Sequence, residues 1–135
     1  MVIVLDTNVL ISGMIKAYSK PAKIVRIVAS GEIRIAYDAR IISEYKNVLS
    51  RKKLGILPAD RDNIILQITK EGELVKPVLY DTEMIDQDDR PFVEVVIGSS
   101  SNIIVTGNCK HYPQTLAEKG INVLTPHEFL DTLAT

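Results

Sequence analysis

Four acids stand where chemistry could be done: Asp6, directly after the apolar run Val2 to Leu5; Glu44; and the adjacent pair Asp88 and Asp89, just before Arg90-Pro91. Each also has an ordinary structural reading. Asp6 is good N-cap material for a following helix, Glu44 could pair with Arg40 or Lys46, and Asp88 and Asp89 would favour the positive end of a helix dipole. Brought together, such carboxylates repel and raise one another's pKa, so a site that gathers them calls for a cation. Hard divalent ions that take oxygen ligands, Mg²⁺ or Mn²⁺, suit it. With them a protein lacking a catalytic histidine can activate water beside a phosphodiester.

The elements that must position these acids are legible from hydrophobic pattern. Val2 to Leu5 reads as a strand buried on both faces, which leaves Asp6 at its C-terminal end. A short helix is expected over Asn8 to Ile15, then another opened by Pro21, with Ile24, Val25 and Val28 as its stripe, ending at Gly31. Ile33, Ile35 and Tyr37 alternate as a second strand. From about Asp38 to Arg51 the spacing of Ile41, Ile42, Tyr45, Val48 and Leu49 predicts an amphipathic helix, with Glu44 at the edge of its apolar face.

Pro58 begins a helix carrying Ile64, Ile65 and Ile68, and Leu74 to Leu79 reads as a short strand interrupted by Pro77. Asp81 to Asp89 is an acidic loop. Pro91 falls in the first turn of a helix bearing Phe92, Val93, Val96 and Ile97; Asn102 to Thr106 and Ile121 to Leu124 are short strands, with a short helix ending near Gly120 between them. Thr125-Pro126-His127-Glu128 is a capping box for a last helix. Strands alternating with helices imply a three-layer α/β/α arrangement around a mostly parallel sheet, with ligands bound at the C-terminal ends of its strands.

Composition narrows the field further. A chain of 135 residues fits one domain over residues 1–135, large enough to bury roughly two thirds of its unfolded surface. The N-terminal run is too short, and too soon broken by Asp6, for a signal peptide or a membrane span. Cys109 is the only cysteine, which excludes an intramolecular disulfide and a cysteine zinc cage and fits a cytoplasmic location. No phosphate-loop or dinucleotide-binding glycine pattern occurs, and His111 and His127, standing alone, read as ordinary surface positions. Net charge is -1, yet residues 1 to 53 hold ten Lys and Arg against four Asp and Glu, while residues 54 to 135 hold six against thirteen. A basic part could face phosphates while acids concentrate elsewhere, but this balance excludes strong, nonspecific duplex binding.

Four blocks in order, Val4-Leu5-Asp6-Thr7-Asn8-Val9-Leu10-Ile11-Ser12, Ile42-Ser43-Glu44-Tyr45, Asp86-Gln87-Asp88-Asp89-Arg90-Pro91-Phe92 and Ile104-Val105-Thr106-Gly107-Asn108, resemble a PIN domain. The likeness covers nearly the whole chain and is nearest to the toxin-component, VapC-like branch of toxin–antitoxin ribonucleases. It implies hydrolysis of RNA with one or two Mg²⁺ or Mn²⁺ ions held by Asp6, Glu44 and Asp89, with Asp88 able to take part or substitute. Thr7, Asn8 and Thr106 would orient these acids. Asn108 stands where many members carry a fourth acid; it keeps an acceptor and loses the charge, so one ion is expected to be held more firmly than a second. Glu94 reads as an exposed helix charge, with compensation for Asn108 as its other reading.

The resemblance also implies an RNA substrate, an antitoxin partner and a homodimer, while the short apolar N-terminal run leads to the expectation of no membrane association. Arg40, Lys46, Arg51, Lys52 and Lys53 cluster around the Glu44 segment and are the candidate phosphate contacts. Two other functions compete. One is an RNA-binding or scaffold domain whose Asn108 marks partial loss of the metal site. The other is an aspartyl-phosphate enzyme or receiver domain, but Asn8 occupies the place of the second acid such phosphatases need, and the receivers' acidic pair and late lysine find no match.

Overall fold

The structure, a computed structural model, describes residues 1–134. Five strands, β1 (Val2–Leu5), β2 (Arg34–Tyr37), β3 (Glu73–Leu74), β4 (Ile103–Val105) and β5 (Asn122–Leu124), form one parallel sheet in the spatial order β3-β2-β1-β4-β5. Around it run six helices: α1 (Thr7–Ile15), α2 (Lys20–Ala29), α3 (Ala39–Leu49), α4 (Pro58–Glu71), α5 (Arg90–Gly98) and α6 (Pro126–Leu133). The three-layer α/β/α expectation holds. Ile3, Val4 and Leu5 are fully buried, as a strand must be when helices cover both faces of its sheet.

Strand order reverses at β1. The chain adds β2 and β3 on one side of it, then crosses back to place β4 on the other, in register Leu5 to Val105. The C-terminal ends of β1 and β4 therefore lie side by side, and the crevice at such a reversal is where parallel α/β sheets bind their ligands. Local chemistry fixes the neighbouring helices. Asp38 caps α3 by accepting from the Ile41 amide at 3.0 Å. The capping box of Thr125 and Glu128 closes both ways at the start of α6.

Several elements differ from the sequence reading. In β2 Ala36 is as buried as Ile35 and Tyr37, so the strand is covered on both sides and does not alternate. The strand expected over Leu74 to Leu79 shrinks to Glu73–Leu74, extended only by the Val75 amide bonding the Tyr37 carbonyl at 2.8 Å. Pro77 offers no N–H to a ladder, and the Val78 amide turns to the Glu94 carbonyl at 3.3 Å. The short helix near Gly120 is a 3₁₀ segment, Gln114–Lys119.

Glu94 is the largest correction. It is 5% exposed, with Arg40 Nη1 donating to its carboxylate at 2.8 Å and the Tyr80 amide at 3.2 Å. Phe92, Val93, Val95 and Val96 around it are all buried, because α5 lies against β1, β2 and β4. A helix buried on every side has no solvent face for a charge, so this one is answered by Arg40, which also donates to Asp38 at 2.9 Å. Among the described residues no helix is long and apolar enough to cross a membrane.

Candidate active site

Asp6 begins the site. Its amide donates to the Val105 carbonyl at 2.9 Å, continuing the β1–β4 ladder, and its carbonyl accepts from the Val9 amide at 3.0 Å to start α1. The residue is 5% exposed, yet its carboxylate does not cap the helix. Instead Oδ2 accepts from the Thr106 hydroxyl at 2.8 Å and from the Tyr112 hydroxyl at 3.0 Å. The cap reading of Asp6 is thereby set aside.

The other residues approach from separate elements. Glu44 on α3 accepts a hydrogen bond from the Thr7 hydroxyl at the start of α1, and no Arg40 or Lys46 pair is formed with it among the described residues. Asn8 Oδ1 accepts from the Gly107 amide at 3.3 Å, tying α1 to the loop after β4. The Asn108 amide donates to Thr106 Oγ1 at 3.0 Å, so the hydroxyl that serves Asp6 is itself held from behind. Asn108 is exposed. Tyr45 fixes the strand end by donating from its hydroxyl to the Leu5 carbonyl.

Asp89 carries the electrostatic signature. It ends a 3₁₀ turn, Gln87–Asp89, that Asp86 caps by accepting from the Asp88 amide at 2.9 Å. Asp88, offered by the sequence as a substitute ligand, is exposed. The Asp89 side chain is 14% exposed. Burial first, then the negative charges of Asp6 and Asp86 and more weakly Glu44, push its carboxyl up to about 6, against a smaller opposing pull from His111. The same burial and the charges of Asp6 and Asp89 raise the Tyr112 phenol, and burial with Asp6 and Glu44 raises Tyr45, so both remain hydrogen-bond donors.

Among the described residues, Asp89 Oδ2 is the one buried side-chain oxygen or nitrogen with no hydrogen-bond partner. The His111 ring lies beside it, Nδ1 at 3.5 Å, at the limit of any hydrogen bond. Asp86, Asp89 and His111 each bring one ligand-type atom within 4.8 Å of the others. A donorless buried oxygen, a carboxyl that resists ionising and a set of carboxylates with an imidazole fit a divalent cation.

Asp6 and Glu44 are near enough for Asp89 to feel both charges. Sequence reasoning missed three neighbours. Tyr112 and His111 sit on and after the 3₁₀ turn Cys109–His111 that follows β4, and Asp86 lies one turn before Asp89. Their signal was position: they flank segments already marked by Thr106 and Asp89. All five candidate RNA contacts are exposed, but Arg40 is paired with Asp38 and Glu94.

Fold and site together define a parallel α/β protein with acids converging at the strand-order reversal, the layout of a hydrolytic, nuclease-type domain. A family model described as the PIN domain matches residues 2–110, and the chain belongs to that family. No curated protein and no solved structure gives a significant match.

Proposed function

We propose that this protein is an endoribonuclease dependent on Mg²⁺ or Mn²⁺, with Asp6, Glu44 and Asp89 holding the ion and Thr7, Asn8 and Thr106 orienting them. The observation that carries the reading is the buried, donorless oxygen of Asp89 beside Asp6 at the strand-order reversal. When bound, a divalent ion there would lower the pKa of water and offset charge developing on a phosphodiester. The protein's own part is to fix the acids. Thr106 and Tyr112 hold Asp6, Thr7 holds Glu44, and the turn capped by Asp86 presents Asp89. Lys46, Arg51, Lys52 and Lys53, exposed around the end of α3, would meet the RNA backbone.

The biological setting we propose is the toxin component of a toxin–antitoxin pair, VapC-like, cytoplasmic and homodimeric, restrained by an antitoxin protein. A single-stranded RNA incubated with the protein and either ion tests the chemistry. Asp6→Asn should slow cleavage by about 100-fold or more, the scale of losing several kcal/mol of charge stabilisation. Cleavage at the wild-type rate in that variant removes the nuclease assignment. Metal and RNA binding without cleavage by the wild type would instead support a scaffold domain.

A further inference from the structure

His111 remains unused by the proposed reaction, although it stands at the mouth of the site. Its ring is 44% exposed, and Nδ1 lies 3.5 Å from Asp89 Oδ2, the oxygen that no donor satisfies. The backbone that carries the ring is also held in place. The His111 amide donates to the Asn108 carbonyl at 3.0 Å, and the next residue, Tyr112, is buried with its hydroxyl on Asp6. What sets it apart from an ordinary surface histidine is the donorless carboxylate oxygen beside it.

We infer that His111 is a further, nitrogen ligand for the divalent ion proposed at Asp6, Glu44 and Asp89, joining Asp89 and Asp86 to make the set a mixed nitrogen and oxygen one that prefers Mn²⁺ to Mg²⁺. The inference rests on the metal-dependent reading above. Its geometry is close to what an ion needs. The three ligand-type atoms lie within 4.8 Å of one another. Ligands on one ion at bond lengths of about 2.1 Å stand about 3 Å apart when adjacent and about 4.2 Å apart when opposite, so side-chain rotations that draw these atoms together by about 1–2 Å complete the set.

Its chemistry follows from ligand type. Mg²⁺ takes oxygen almost exclusively, whereas imidazole binds first-row transition ions, with affinity rising from Mn²⁺ towards Ni²⁺. The segment after β4 offers no acid at Asn108; three residues later it offers an imidazole. The ion therefore keeps a ligand from this segment, and the change from oxygen to nitrogen shifts its selectivity.

Pulsed electron paramagnetic resonance on the full chain with one equivalent of Mn²⁺ tests this. The wild-type complex should show modulation from a directly bound imidazole nitrogen, and growth on ¹⁵N-histidine should change its isotope pattern. His111→Gln should abolish the signal and weaken Mn²⁺ binding by at least about tenfold, with Mg²⁺ binding changed by much less. His127→Gln, which alters the other histidine, should leave both unchanged. Mn²⁺ bound with an oxygen-only spectrum, or His111→Gln binding Mn²⁺ as the wild type does, overturns the inference; if RNA is still cut, the nuclease reading stands without it. Failure of Mn²⁺ and Mg²⁺ alike to bind would remove both. The labelling measurement needs no substitution, so a poorly folded variant does not blunt it.

Discussion

At Asp89 a single carboxyl links stability to pH. Its folded pKa, about 6, lies above the ordinary 3.8, so the folded protein binds more protons than the unfolded chain between those values. The contribution is fully present below 3.8 and is lost as pH rises through about 6. Thermal melts of metal-free protein should therefore show this group destabilising the fold across that window. Added Mn²⁺ should reverse the trend, raising the melting temperature more at pH 7 than at pH 5, because the ion must first displace the proton. A metal-induced shift that does not depend on pH would show that Asp89 is not where the ion binds. Asp6 stood out as a candidate because it ends an apolar run, and Asp89 because the resemblance to a PIN domain points to an acid there. What Asp6 does was not legible, since Tyr112 reaches it from 106 positions away and no local rule announces such a pair.

Among the elements, α5 and α3 are joined by a buried charge that changes the meaning of Arg40. Removing the guanidinium, on a side chain that is 44% exposed, would leave Glu94 buried with the Tyr80 amide but no cation. The loss is about 2 kcal/mol, below that of a wholly buried pair and above that of a solvent-exposed one, under about 1 kcal/mol. Arg40→Met should show that loss in urea unfolding. Adding Glu94→Gln should recover part of it, as a double-mutant cycle would report. If Arg40→Met is nearly neutral in stability but weakens RNA binding, the residue is a phosphate contact after all. Helix periodicity was readable in α3, whose stripe from Ile41 to Leu49 is buried as expected. In α5 the pattern was misread at Glu94: four apolar neighbours within two residues describe a helix without an exposed side, and a charge there needs a partner in the protein. The strand expected up to Leu79 failed for a different reason, because Pro77 cannot donate to a ladder.

Over the whole molecule, charge is divided more than it is abundant. Residues 1 to 53 carry the surplus of Lys and Arg, and four of those side chains stand exposed at and beyond the end of α3. If these four make the phosphate contacts, the logarithm of affinity for single-stranded RNA should fall with the logarithm of salt concentration at a slope of about -3. Alanine at Lys46, Arg51, Lys52 and Lys53 together should flatten the slope towards zero. A slope unaffected by those changes places the RNA elsewhere. The sheet was legible at this scale because uninterrupted runs such as Val2 to Leu5 imply cover on both faces, and helical segments between strands imply parallel pairing.

The reversal of strand order also has a consequence for how the protein is made. Asp6 leaves the ribosome well before its hydroxyl partners, which lie 100 and 106 residues further along. At translation speeds of about 5–20 residues per second, that is a delay of roughly 5–20 seconds. Until β4 pairs with β1 and the segment after it folds, Asp6 lacks both donors and Asp89 lacks its neighbouring histidine. A nascent chain would therefore carry its acids unassembled while its own messenger is still threaded nearby, and a chain cut short before β4 would be a folding fragment with no completed centre.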